Sequence, residues 1–143
     1  VIDAVTRGEL SLNSTVADLI PEWKDTNKAT LTLKQMLSHY ARLTPWIPFY
    51  VEALEQPEAF ASAPGPKHTI EVADGLWMQE SYRDSIWAQI VAAEVKPVGQ
   101  ERYSDLGYYA MKRIIERLTA MPLEKSRSAR PASAWPLKPM RLP

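Results

Sequence analysis

Glu101-Arg-Tyr-Ser-Asp-Leu-Gly-Tyr-Tyr109 joins a polar turn to the strongest helical pattern in the chain. From Leu106 the apolar residues Leu106, Ala110, Met111, Ile114, Ile115 and Leu118 recur at the spacing of an amphipathic helix with one buried face. Ser104 or Asp105 suits the N-cap, since a short side-chain oxygen accepts a hydrogen bond from a free amide of the first turn. Tyr103 then stands just outside the helix, on a rigid base near its positive end. A phenol held there is placed to act as a general base or proton shuttle, and a polar group two residues on, Asp105, can bind a substrate amide. Tyr-Ser-Asp ahead of a helix also reads as a plain cap beside a half-buried tyrosine, so the rest of the chain decides between the two.

The 143 residues suffice for one domain with a core. An apolar content of 45% is not that of a disordered chain. Seventeen basic and seventeen acidic residues cancel, which leaves no basic field for nucleic acid and no polybasic segment for a membrane surface. Disulfides and thiolate metal sites are excluded because there is no cysteine. No apolar run approaches the roughly 20 residues of a membrane span. Val1 opens the chain without a methionine and inside a helical pattern, as expected of a fragment.

In order, Val1–Arg7 reads as the end of a helix with Gly8 as its C-cap. Asn13-Ser-Thr15 caps a brief helix carrying Val16, Leu19 and Ile20, and Pro21 ends it. Glu22–Ala29 reads as a polar loop with one anchoring tryptophan, Trp23. Thr32-Leu-Lys-Gln35 is a capping box for a helix burying Leu33, Met36 and Leu37. Thr44–Tyr50 is a proline-braced aromatic loop that leads into a short helix through Val51 and Leu54. Gln56–His68 reads as a surface loop, Thr69–Val72 as a short strand, and Tyr82–Val91 as a second clear helix with Asp84 in its first turn. After Leu118 the periodicity fails. Residues 126–143 are expected to be an irregular tail, and the abrupt change suggests a reading-frame error across roughly Ser126 to Trp135.

Few side chains carry chemistry on their own. His39 and His68 are the two histidines; without a ligand cluster they make no zinc site, and a structural role is the default for each. There is no glycine-rich phosphate loop and no Gly-x-Ser-x-Gly elbow. No carboxylate pair stands out. Trp23, Trp46, Trp77 and Trp87 read first as core or loop anchors, although such rings can also line a binding site.

The ordered series Gly8-Glu-Leu-Ser-Leu12, Val16–Pro21, Leu31-Thr-Leu-Lys-Gln-Met-Leu-Ser-His39 and Tyr103-Ser-Asp-Leu-Gly107 resembles serine β-lactamase-related hydrolases, the class C β-lactamase and penicillin-binding-protein-like family. Leu43–Tyr50, Val72–Leu76 and Asp84–Trp87 are similar to the β-lactamase-type domain often fused behind a glycoside hydrolase family 3 domain in Bacteroidetes. The resemblance runs from Val1 to about Glu124. It implies nucleophilic catalysis by a Ser-x-x-Lys serine, with a Tyr-x-Asn tyrosine moving protons and a Lys/His-Thr-Gly strand across the cleft. Tyr103 matches that tyrosine, and Asp105 stands where asparagine is usual. This chain has no Ser-x-x-Lys. Arg42 replaces the glycine usual after the first helix of the series, and Ala120 replaces a helix-capping glycine, so either site would be strained if it needs φ > 0.

The resemblance therefore implies a mainly α chain: the helical lobe of a β-lactamase/transpeptidase-like α+β fold, with at most one or two short strands. Residues 1–125 would form this partial domain. The parent protein would hydrolyse or transfer the acyl group of a β-lactam, peptide or ester in the periplasm or cell envelope. It would need no cofactor, and the missing α/β lobe would be the partner of this chain. Tyr103 and Asp105 are the implied catalytic residues, and Trp46 and Tyr50 the substrate-binding ones. Without the serine this chain would not turn over. The alternative is a non-catalytic binding module with Trp46, Phe49, Tyr50 and Trp77 as an aromatic surface, or a decayed gene product.

Overall fold

The computed structural model of the chain describes residues 1–97, 102–123 and 125. Among these, six α-helices and three short strands follow in the order α1 Ile2–Thr6, α2 Val16–Leu19, α3 Leu33–Leu37, α4 Phe49–Glu55, β1 Phe60–Ala61, β2 His68–Ala73, β3 Leu76–Gln79, α5 Glu80–Ala92 and α6 Leu106–Thr119. The mainly helical class stands. The tail 126–143, with its suspected change of frame, lies outside the described residues.

The strands form one antiparallel sheet in the order β1-β3-β2. Only the middle of β2 was legible as a strand. Asp74-Gly75, with Gly75 at φ +66°, turns the chain back so that Ala73 pairs with Leu76; Asp-Gly between two apolar runs favours such a hairpin. The expected loop Gln56–His68 instead supplies a 3₁₀ turn, Pro57–Ala59, and the short edge strand β1. Because β3 runs straight into α5, that helix starts at Glu80 rather than Tyr82. Glu80 thus takes the first-turn position, and Asp84 sits further along.

Local chemistry sets the helix ends. Thr32 and Gln35 make both arms of the capping box: the Gln35 amide donates to Thr32 Oγ1 at 3.3 Å and the Thr32 amide to Gln35 Oε1 at 2.9 Å. α1 ends at Gly8 (φ +75°), with Glu9 N–H donating to the Ala4 carbonyl at 2.9 Å. α3 ends the same way at His39 (φ +59°), with Tyr40 N–H donating to the Gln35 carbonyl at 2.9 Å and His39 N–H to Met36 at 3.3 Å. Arg42 (φ +57°) and Ala120 (φ +51°) are left-handed as well, so both substitutions of glycine meet a backbone that glycine would satisfy without strain.

The core lies where α3, α5, α6 and the N-terminal segments meet, with Val16, Ile20, Trp23, Leu33, Ile90, Leu106 and Ile114 among its buried residues. The predicted stripe of α6 faces it: Leu106, Ala110, Met111 and Ile114 are buried, while Leu118 is exposed at the helix end. The Trp23 and Trp87 rings stack at 6.4 Å with 7° between their planes. The Arg113 guanidinium lies 4.5 Å from the Trp87 centroid, and Glu22 Oε1 accepts from Arg113 at 3.1 Å and Arg117 at 2.8 Å. Met78, Ala59 and Tyr82 form a smaller cluster that packs the sheet on α5 through Ile86.

The polar stretch Glu22–Ala29 anchors Trp23 as expected and leaves Lys24, Asp25 and Asn27 exposed, but it also buries Lys28. Lys28 is 1% exposed. Its ammonium donates to the carbonyls of Val91 (2.9 Å) and Ala93 and to Asn27 Oδ1 (3.3 Å). Burial lowers its pKa, against the opposing pull of the Glu94 charge. A buried ammonium is tolerable because it satisfies carbonyls that the end of α5 leaves free.

Replacing Ala120 with glycine should remove left-handed strain and raise stability by about 0.5–1 kcal/mol, a Tm gain of roughly 2–4 °C by calorimetry. A lower Tm would show that the turn after α6 is not strained.

Candidate functional site

α6 is seated on the end of α3: a Cβ built on Gly107 would lie 3.8 Å from Met36 Cε and 3.9 Å from the Met36 carbonyl oxygen. The segment before α6 is then fastened to residues 39–45 at successive points. Arg102 N–H donates to the His39 carbonyl at 3.2 Å and Asp105 N–H to the Pro45 carbonyl at 2.8 Å. Ser104, 3% exposed, donates its hydroxyl proton to the Thr44 carbonyl at 2.6 Å and accepts from Leu106 N–H at 3.2 Å. Of the two candidate caps, Ser104 therefore does the capping, and Asp105 is left free for other contacts. Behind this strap, Leu43 pairs with Val95, Thr44 Oγ1 donates to the Glu94 carbonyl at 3.1 Å, and Lys96 N–H donates to the Arg42 carbonyl at 2.9 Å.

Tyr103 is 57% exposed on this mount. His39, aimed outward by the left-handed end of α3, packs its ring 4.6 Å from the Tyr103 centroid and 6.0 Å from that of Tyr108. Tyr103 and Tyr108 lie 6.2 Å apart. The Tyr103 phenol is pushed from the usual 10.0 up to about 12, first by its hydrogen bond to the Asp105 carboxylate, then by desolvation and by the Asp105 charge. Both effects of Asp105 favour the protonated phenol. The phenol is therefore held neutral, as a hydrogen-bond donor, and neither loses its proton readily nor acts as a base.

Trp46 and Tyr50, 55% and 62% exposed, stack at 6.4 Å with 8° between planes. The Pro45 carbonyl that holds Asp105 is one residue from Trp46. Of the four rings considered from sequence, Trp46 and Tyr50 are the exposed, stacked pair. Phe49 is half-buried and meets Tyr109 edge-on at 5.9 Å, while Trp77 lies on β3 opposite Ala61 and Glu71. Sequence reasoning left out two rings beside Tyr103, those of His39 and Tyr108. For His39 the signal was its place after a capped five-residue helix; for Tyr108 it was the spacing of one helical turn from Asp105. His68 braces the hairpin, its Nε2 lying 3.0 Å from the Glu58 carbonyl and 3.2 Å from Gln79 Nε2. A shallow, open depression of about 450 Å³ lies beside β2 and the start of α5, lined by Lys67, Thr69, Gln79 and Glu80. It includes none of the candidate residues. Among the described residues, no group of three or more His, Asp or Glu side chains could hold a metal, and no helix is long and apolar enough to cross a membrane.

A helical unit that presents a phenol on a fastened strap at a helix start is the scaffold defined so far. The family model described as Beta-lactamase matches residues 1–130, and the chain belongs to the Beta-lactamase family. No characterised protein and no solved structure matches it.

Two measurements check this geometry. Tyrosinate absorbance, followed against Tyr103→Phe, should place Tyr103 near 12, and Asp105→Asn should bring it down toward the ordinary value; an unmoved Tyr103 in that variant would break the proposed coupling. Because an unfolded tyrosine ionises earlier, this group withdraws stability as pH rises from 10.0 through about 12. Separately, Trp23→Ala should cost about 3–5 kcal/mol in denaturant unfolding and Trp46→Ala less than about 0.5 kcal/mol. A large loss at Trp46 would assign it to the core instead.

Proposed function

We propose that Tyr103, Asp105, Trp46 and Tyr50 form one wall of the cleft of a serine hydrolase that cleaves a β-lactam, peptide or ester. The observation that carries this reading is the Tyr103 mount: an exposed phenol whose backbone is fastened by Arg102, Ser104 and Asp105 to a second segment. Family membership supplies the reaction class. Tyr103 would donate a hydrogen bond to the leaving group as a neutral phenol, the form that its raised pKa favours. Asp105 would accept from an N–H of the substrate, and the stacked pair Trp46–Tyr50 would hold an apolar or ring-bearing portion of it. The nucleophilic serine and its lysine would come from residues outside this sequence, as would the α/β lobe, and this chain by itself would not turn over. A place in the periplasm or cell envelope, and fusion to a glycoside hydrolase domain, belong to the same proposal.

A binding module without catalysis is the second reading, favoured by the exposed Trp46–Tyr50 stack alone. Sequencing the DNA on both flanks separates the two. An in-phase Ser-x-x-Lys upstream supports the hydrolase, and an upstream frame without one removes it. In the whole encoded protein, Tyr103→Phe should lower kcat/KM toward a chromogenic cephalosporin or a nitrophenyl ester by about 100- to 10,000-fold. An unchanged rate would take Tyr103 out of the chemistry.

A further inference from the structure

We propose that the face made by Tyr103, Asp105 and Tyr108, continued by Trp46 and Tyr50, recognises a compact organic cation, an ammonium or trimethylammonium group carried by the ligand. This names a ligand class for the site proposed above and rests on that reading for its link to a substrate.

The first observation is charge. Asp105 is exposed and, among the described residues, makes no ion pair. Asp105 lies two residues after Tyr103 and three before Tyr108, one helical turn away, and a carboxylate has about four acceptor sites to offer a ligand. Among the described residues no cation pairs with it: the Arg42 guanidinium donates to the Lys96 carbonyl at 3.3 Å, and Arg102 makes no ion pair with a described residue.

The second observation is independent of the first. Tyr103 and Tyr108 are each 57% exposed, Trp46 55% and Tyr50 62%. Backbone bonds bring their segments together at Asp105: Tyr108 N–H donates to the Asp105 carbonyl at 3.0 Å, and Asp105 N–H to the carbonyl of Pro45, next to Trp46; the Tyr103 and Tyr108 rings lie 6.2 Å apart, with the His39 ring 4.6 and 6.0 Å from them. Aromatic faces are electron-rich and attract cations, each exposed ring contributing about two- to fivefold in affinity. A carboxylate beside such faces repels an anionic ligand twice over, by its charge and by theirs. A neutral ligand gains only apolar contact. A small cation gains from both.

The test uses the full chain and three probes of matched shape: choline, its neutral carbon isostere dimethylbutanol, and anionic dimethylbutanoate. Ring resonances of Tyr103 and Tyr108 are followed by NMR. Choline should shift them at a concentration about tenfold lower than the neutral isostere, with the anion weakest. Asp105→Asn should bring choline and dimethylbutanol within about twofold of each other, and Tyr108→Leu should weaken choline by about two- to fivefold. Equal binding of choline and its isostere overturns the proposal, as does an unchanged ratio in Asp105→Asn or shifts confined to other residues. Failure here is separable from failure of the hydrolase reading. Binding is read without turnover, so choline binding with no upstream Ser-x-x-Lys would refute only the hydrolase, and a loss of turnover in Tyr103→Phe without choline preference would refute only the cation.

Discussion

The stack of Trp23 on Trp87 is the contact on which the other elements converge. One indole comes from the short 3₁₀ turn after α2, the other from α5, and they meet nearly parallel. A cation lies at each end of the stack. Lys28 lies 5.8 Å from the Trp23 ring and holds the last carbonyls of α5, while Arg113 of α6 covers Trp87. Glu22 then ties Arg113 and Arg117 back to the turn that carries Trp23. Burial alone would raise the Glu22 carboxyl, but its hydrogen bonds and the arginine charges outweigh this and lower it. Two large apolar plates supply the burial, and charges at their rims fix which way the helices lie.

Once α5 and α6 are placed, the site follows from short-range geometry. α3 is only five residues long, and its Schellman-type end at His39 reverses the chain sharply. Arg42 adds a second left-handed residue three positions later. Each costs on the order of 1 kcal/mol. The return is that the carbonyls of residues 39–45 accept from Lys96, Arg102, Ser104 and Asp105, while the Arg42 and Thr44 side chains donate to the carbonyls of Lys96 and Glu94. Strain of this kind collects where a chain must present a side chain in a set direction, and here the side chains presented are His39 and Tyr103.

Asp105 then sets the chemical character of the presented phenol. A neutral amide at that position would leave the phenol nearer its ordinary acidity. The hydrogen bonding and the charge of the carboxylate both disfavour a tyrosinate, so Asp105 keeps Tyr103 a neutral phenol. With the surrounding rings, this gives the strap an electron-rich face.

Much of this was written locally. The α6 stripe, the Thr32–Gln35 box and the Gly8 cap each depend on residues a turn or less apart, so spacing and residue type determined them. The same holds for the pairing of Trp46 with Tyr50, four positions apart across a helix start. The left-handed Arg42 and Ala120, by contrast, were expected only from the family resemblance. What the tertiary structure alone decided involves distant partners. Lys28 reads as a loop residue because its acceptors, Val91 and Ala93, are 63 and 65 residues away. Ser104 was chosen over Asp105 as the cap because Thr44 offers its hydroxyl an acceptor 60 residues back. β1 is two residues long and owes its existence to pairing with β3, which no periodicity in so short a stretch can encode. Residue type and spacing determine what a segment prefers by itself; which side chains lose water together is decided only when the chain folds back on itself.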